Sequence, residues 1–408
     1  VTDEPFAPRA VDEVVDLVST LIRFDTSNTG ELETTRGEEE CAKWVAQMLE
    51  EVGYTTQYVE SGQPGRGNVF ARLPGPPDSD RGALLIHGHL DVVPAEPADW
   101  SVHPFSGTVK DGYIWGRGAV DMKDMVGMAL ALARQFQRDG TVPPRELVFA
   151  FLADEEAGGS WGAHWLVEHR PDLFEGITEA VGEVGGYSLT VDRPDGSEKR
   201  LYLVETAEKG LAWMKLTADA TAGHGSFLHA DNAVTEVAEA VARIGRHTFP
   251  LVISDSVAEF LAAVSEESGL DLSPDAADLE TSLFKLGSLA RIIGATLRDT
   301  ANPTMLRAGY KATHLDSYET TFDGDLVDAM NAAILAHDPQ ARTVPYMMSG
   351  GTDAKAFAKL GIRCFGFAPL QLPRELDFAA LFHGVDERVP VDSVLFGTRV
   401  LEHFLLNS

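Results

Sequence analysis

The sequence predicts an α/β protein: a mostly parallel sheet flanked by helices, with a small α+β domain inserted into it. Three observations carry that prediction. Strand-like and helix-like stretches alternate through the first half of the chain, as they do where helices cover a parallel sheet. "RELVFAFLA" at 145–153 is a continuous apolar run, the pattern of a strand buried on both faces. Near Leu201 the pattern changes character, and after Asp323 it returns to its first form. At 408 residues the chain also exceeds what one hydrophobic core usually serves.

Taken in order, 11–24 and 38–52 have the 3.6-residue apolar spacing of amphipathic helices, and Gly53 ends the second. Cys41 falls on that helix's apolar face with Trp44, Val45, Met48, Leu49 and Val52, and reads as core. Strands are expected at 68–73 and 82–87. A proline-bearing loop follows, then a short strand and a Gly-rich bend in "DGYIWGRGAVDMKD". Helical periodicity at 125–138 stops at Gly140. The buried strand 145–153 comes next, and "GSWGAHWLVEHR" is a further helix. From Leu201, "LYLVETAEKGLAWMKLTADA" alternates like strands with an exposed face. Helices are expected at 233–246 and within 250–290, and a strand at "TMLRAGYKA". The last part reads as helix 325–336, strand "GIRCFGFAP" and a final helix at 394–406. The inserted domain therefore covers 205–316, between the two pieces 1–204 and 317–408 of the larger one.

Composition removes several classes of function. The net charge is −30, from 63 acidic and 33 basic residues, so a phosphate backbone would be repelled and no nucleic-acid partner is expected. No apolar run approaches the roughly 20 residues that span a bilayer, so no membrane partner is expected. "VTDEPFAPRA" lacks the basic start and apolar stretch of a secretory signal, which makes the cytoplasm the expected location. Cys41 and Cys364 are too few for a disulfide framework or a thiolate zinc site.

"LLIHGHLDVVP" at 84–94 begins as a core strand and ends in charge. His87, His89 and Asp91 are two residues apart and share one face of an extended chain. A lone His-x-Asp is most simply a strand running into solvent. The sharper reading is a metal ligand, His89, with Asp91 behind it. Four more stretches repeat the theme: Asp121 in "WGRGAVDMKDM", Asp154, Glu155 and Glu156 in "FLADEEAGG", Glu183 in "VGEVGGY", and His383 in "LFHGVDERVP". Each places a carboxylate or imidazole where an apolar strand meets a glycine-bearing loop, and open α/β sheets gather ligands at the carboxyl ends of strands. Singly, each has a plain structural reading. Together, two histidines and three carboxylates form an oxygen-and-nitrogen set that suits two zinc ions, or cobalt or manganese, with one bridging carboxylate.

"HGHLDVVP", "DGYIWGRGAVDMKDMVG", "ADEEAGG", "GEVGG", "AGHGSFLHADNAV" and "SGGTDAKAF" together resemble the zinc aminoacylase and carboxypeptidase family, which includes aminoacylase-1, glutamate carboxypeptidases, dipeptidases and succinyl-diaminopimelate desuccinylase. The resemblance implies that 1–204 and 317–408 form a catalytic zinc-binding domain, and that 205–316 form a lid and dimerisation domain. It implies that His89, Asp121 and Glu183 hold one zinc, that Asp121, Glu156 and His383 hold the other, and that Asp121 bridges. Asp91 would orient His89, Glu155 would be the general base, and His224 would be an oxyanion donor presented to the partner subunit of a homodimer. Thr313, Gly350, Gly351 and Lys355 would contact substrate, and the Asp121–Met122 peptide would be cis. Lys355 stands where relatives commonly carry Arg, and a lysine holds a carboxylate as a point charge rather than a fork. The chain departs from the family after "RAGYKATH": the stretch with the family's substrate-carboxylate arginine is missing, and "ATH" runs into "LDSYETTFDGDLVDAM".

The implied activity is hydrolysis of an amide or peptide bond in an N-acyl amino acid or short peptide. An aminopeptidase or dipeptidase that needs a free amine is the alternative within that chemistry. A metal-binding scaffold without turnover is the alternative outside it, and Glu155, a base beside ligands, argues against a scaffold.

Overall fold

The structure is a computed structural model and describes residues 8–212, 214–219, 232–276, 278–287, 289–303, 317–348, 351–382 and 386–408. Eleven helices are formed by these residues: α1 (Ala10–Arg23), α2 (Glu39–Glu50), α3 (Lys123–Asp139), α4 (Ala163–His169), α5 (Ala233–Gly245), α6 (Asp255–Ser268), α7 (Leu279–Phe284), α8 (Leu289–Thr296), α9 (Asp325–His337), α10 (Ala354–Ala358) and α11 (Val391–Asn407). The strands are β1 (Gln57–Glu60), β2 (Gly67–Leu73), β3 (Ala83–His89), β4 (Thr108–Lys110), β5 (Tyr113–Trp115), β6 (Leu147–Leu152), β7 (Ile177–Gly182), β8 (Ser188–Asp192), β9 (Glu198–Glu208), β10 (Tyr318–Glu319), β11 (Arg342–Met348), β12 (Arg363–Gly366) and β13 (Arg388–Pro390).

Ten strands make one sheet, in the order β1-β2-β6-β3-β7-β12-β9-β10, with β8 and β11 also paired to β9. The centre is parallel: β6, β3, β7 and β12 run together, and β11 runs parallel to β9. Antiparallel strands flank that centre, with β1 and β2 on one side and β8 and β10 against β9 on the other. Alternation along a strand divides the core in two. Leu147, Phe149 and Phe151 of β6 join the cluster under α1, α2, α3 and α11, while Val148, Ala150 and Leu152 join the cluster under α4 and α10. That is why this strand shows no polar face in sequence. Leu85 and His87 of β3 share the second face, and the His87 ring packs edge-on against Phe357 with centroids 4.9 Å apart. Burial pushes His87 down to about 3, so it is a neutral core residue that ends short of the polar strand tip.

Most expected elements occur within a few residues of their sequence bounds. Helix α3 ends where Gly140 takes a left-handed conformation, φ 62°. The stretch from Leu201 differs: 201–208 are buried on both faces rather than exposed on one. Tyr202 stacks on Phe396 of α11, and α6 lies against β8, β9 and β11. Helix α6 covers the face that the alternation had assigned to solvent. The expected strand "TMLRAGYKA" lies outside the described residues.

Candidate metal centre

The parallel strands deliver their side chains to one place, at their carboxyl ends. His89 is the last residue of β3. Asp154, Glu155 and Glu156 follow β6, and Glu183 follows β7. Asp121 lies at the foot of α3, after the bend 116–120, and its peptide bond to Met122 is cis, as the family resemblance implies. His89 Nε2 lies 3.0 Å from Asp121 Oδ1, 3.4 Å from Glu183 Oε2 and 3.8 Å from Glu155 Oε2. Two sets of donor atoms close to within 4.8 Å: His89, Asp121 and Glu156, and His89, Glu155 and Glu183. Ligands around a tetrahedral zinc at ~2.0–2.1 Å stand about 3.3 Å apart, so the spacing fits an ion of that size.

The turn after β6 separates the two adjacent glutamates. Asp154 is left-handed, φ 69°, and Glu155–Ala157 form a short 3-10 turn. Asp91 fastens this turn from below. Its fully buried carboxylate accepts the N–H of Glu155 on Oδ1 at 3.1 Å and the N–H of Glu156 on Oδ2 at 3.0 Å. Asn28 Nδ2 donates to Asp91 Oδ2 at 2.8 Å and to Asp154 Oδ1 at 3.0 Å. His89 Nδ1 is 2.9 Å from the main-chain oxygen of Asp91 and 3.5 Å from its carboxylate. With its proton on Nδ1, the ring donates to that carbonyl and turns Nε2 toward the carboxylates. Asp91 thus holds the imidazole chiefly through its backbone, and its carboxylate chiefly holds the glutamates.

The electrostatics fit a cation. Burial alone would lower the His89 imidazole, but Glu183 beside it and hydrogen bonds to Asp121 and Asp91 hold it well above the usual range. Burial and Glu183 raise Glu155 well above an ordinary carboxyl. Burial raises Glu183 to about 8 even though His89 pulls it down. Both shifts follow first from burial and then from the crowding of Glu155, Glu156, Glu183 and Asp121 around one imidazole. The donor set, imidazole plus carboxylates without thiolate, is one that zinc, cobalt or manganese accepts.

Of the other expected site residues, Gly351 and Lys355 lie beside the end of β9. Lys355 Nζ donates to Lys209 O at 3.0 Å and lies 3.5 Å from Glu208 Oε2. His224, Thr313, Gly350 and His383 lie outside the described residues. Sequence reading missed Asn28 and Arg66, which tie the metal-side carboxylates to α2. Arg66 reaches Glu38 at 2.6 Å and Asp154 at 3.0 Å. Neither stands in a pattern of its own; only the fold brings them beside Asp154. A small cavity lined by Val120, Met122, Glu183 and Phe382 shares Tyr187 and Phe378 with a larger one of about 690 Å³. The larger cavity carries both leucines, Leu270, Leu286 and Leu372, and charged residues, Arg193, Lys285 and Arg374, on its walls.

The sequence profile of peptidase family M20/M25/M40 matches residues 85–407. The chain is 25% identical to the N-fatty-acyl-amino acid synthase/hydrolase PM20D1 of Xenopus tropicalis, over 94% of this chain and 83% of that one. It is 30% identical to the succinyl-diaminopimelate desuccinylase of Bradyrhizobium sp. (strain ORS 278), over 48% of this chain and 49% of that one. The fold is similar to that of human carnosine dipeptidase 1, with a TM-score of 0.65 and 17% identity over 97% of both chains.

Proposed function

The chain belongs to peptidase family M20/M25/M40, a family of metal-dependent hydrolases, and we propose that it cleaves the amide or peptide bond of an N-acyl amino acid or short peptide at a site for two zinc ions. The observation that carries this reading is the convergence of His89, Asp121, Glu155, Glu156 and Glu183 at the strand ends. His89, Asp121 and Glu183 would hold one ion, and Asp121, Glu156 and His383 the other. Bound zinc lowers the pKa of water and polarises a carbonyl oxygen.

The chain's own groups supply the rest. Glu155 takes the proton of the attacking water and delivers it to the leaving nitrogen, a role suited to a carboxyl raised by burial. Asp91 keeps Glu155 and Glu156 in register through their main-chain N–H groups. His224 would donate to the developing oxyanion from the partner subunit of a homodimer. Gly350, Gly351, Thr313 and Lys355 would meet the substrate. The cavity beyond Tyr187 and Phe378, walled by leucines and by charged residues such as Arg193, Lys285 and Arg374, is the place for the acyl group. Two relatives have names that describe cleavage of N-acyl bonds, which supports an acyl substrate. A cytoplasmic location goes with this reading.

A substrate panel tests it. Purified protein is assayed with added zinc, cobalt or manganese against N-acyl amino acids of increasing chain length and against unblocked dipeptides. Metal-dependent hydrolysis of the acylated series is expected. Turnover confined to unblocked dipeptides would replace this reading with a dipeptidase.

A further inference from the structure

Glu387 has no part in the chemistry above. We infer that it is a positioning residue that fixes the main chain of Asp121, and thereby the carboxylate shared by the two ion sites. The inference rests on the proposed metal role of Asp121.

Glu387 is fully buried, and its partner Arg117 is 4% exposed. Glu387 Oε1 accepts two main-chain N–H groups, from Val120 at 2.8 Å and from Asp121 at 3.1 Å. Oε2 accepts Arg117 Nη1 at 2.6 Å. The main-chain oxygen of Glu387 accepts the N–H of Gly116 at 3.0 Å. One residue therefore closes the bend 116–121 at both ends. The pairing of β5 with β13, Trp115 opposite Arg388, brings the two segments side by side. The Arg117 guanidinium also lies over the Trp100 ring, 5.2 Å from its centroid. Beyond Asp121, the fully buried Lys123 donates to Phe24 O at 2.9 Å and to Thr26 Oγ1 at 3.0 Å. The backbone that carries Asp121 is pinned on both sides.

A buried ion pair is a poor device for stability alone, since apolar residues of similar volume usually serve as well or better. What an apolar pair lacks is an acceptor for the N–H groups of Val120 and Asp121. In the sequence, Glu387 also stands four residues after the proposed ligand His383 in "HGVDERVP". Asp386, next to Glu387, accepts the N–H and the hydroxyl of Ser101.

Two double variants separate positioning from plain stability. Arg117→Met/Glu387→Met removes the pair and the acceptor. Arg117→Met/Glu387→Gln removes the charges and keeps an acceptor oxygen. Zinc affinity is read by competition with a chromophoric chelator, and thermal melting of the metal-free protein is read alongside. The Met/Met protein is expected to melt below wild type, because two buried N–H groups lose their acceptor, yet to stay folded at the assay temperature and bind zinc about 10–100-fold more weakly. The Met/Gln protein is expected to bind as wild type does. Wild-type affinity in Met/Met overturns the inference. If Met/Met does not fold, Met/Gln decides alone, and a loss of about tenfold there overturns it. A wild-type protein that binds no zinc refutes the metal reading itself, an outcome distinct from any change between variants.

Discussion

Replacing Asp91 by Ala removes the residue on which the most site geometry depends. Its carboxylate holds the N–H groups of Glu155 and Glu156 and the Asn28 amide. A hydrogen bond to a charged group contributes about 1.5–3 kcal/mol, so the two main-chain bonds together contribute about 3–6 kcal/mol. Relief from burying a carboxylate offsets part of that loss. The expected fall in stability is therefore about 2–4 kcal/mol, read as a lower urea midpoint at unchanged slope. Function should suffer more. The Glu155–Ala157 turn loses its anchor, so the proposed base and the proposed ligand drift together, and metal affinity should fall about 10–100-fold. Asp91→Asn keeps one acceptor and should lose about half as much stability. Urea unfolding, chelator competition and kcat are measured on the same preparations. An Asp91→Ala protein that unfolds at a lower midpoint but binds metal and turns over as wild type would refute the claim that Asp91 organises the site.

Glu155→Gln should keep both ions and lose about 10²–10⁴ in turnover, whereas Glu156→Gln should weaken binding of one ion, which metal analysis and rates together distinguish. Identical behaviour of the two would end the division of roles. Burial, with Asp91 and Asp154 adding to it and Arg66 opposing it, raises Glu38 to about 8 from an ordinary 4.5. The folded state then holds a proton that the unfolded state releases, so this group's contribution to stability declines as pH rises from about 4.5 to about 8. Glu38→Gln should accordingly gain on wild type between about pH 5 and pH 8 in urea titrations of metal-free protein, and parallel curves would contradict this. Mixing inactive Glu155→Gln and His224→Ala proteins under subunit exchange should restore part of the activity if His224 serves the partner. Demonstrated exchange with no recovery would place His224 within its own site or outside the chemistry.

Much of this centre can be read from the chain because its residues stand where a pattern breaks. A continuous apolar strand that ends in "ADEE", and another that ends in "HGHLD", leave little for the polar groups to do in a core. The same reasoning places β3, β6 and α3. It fails for 201–208, because alternation does not reveal a helix as distant in sequence as α6 that will cover the second face. His87, on the same strand face as His89, lies two residues deeper and packs on Phe357. Sequence reading misses Asn28, Arg66 and the role of Glu387, since each acts on a partner separated by tens or hundreds of residues and carries no local periodicity.

The central claim is that His89, Asp121, Glu155, Glu156 and Glu183 enclose a two-ion hydrolytic centre. A crystal of zinc-loaded protein, measured across the zinc absorption edge, tests it most directly. The account expects two anomalous peaks at the carboxyl ends of β3, β6 and β7, with Asp121 in contact with both and Glu155 bound to neither. One peak alone, or zinc held away from Asp121, would contradict it.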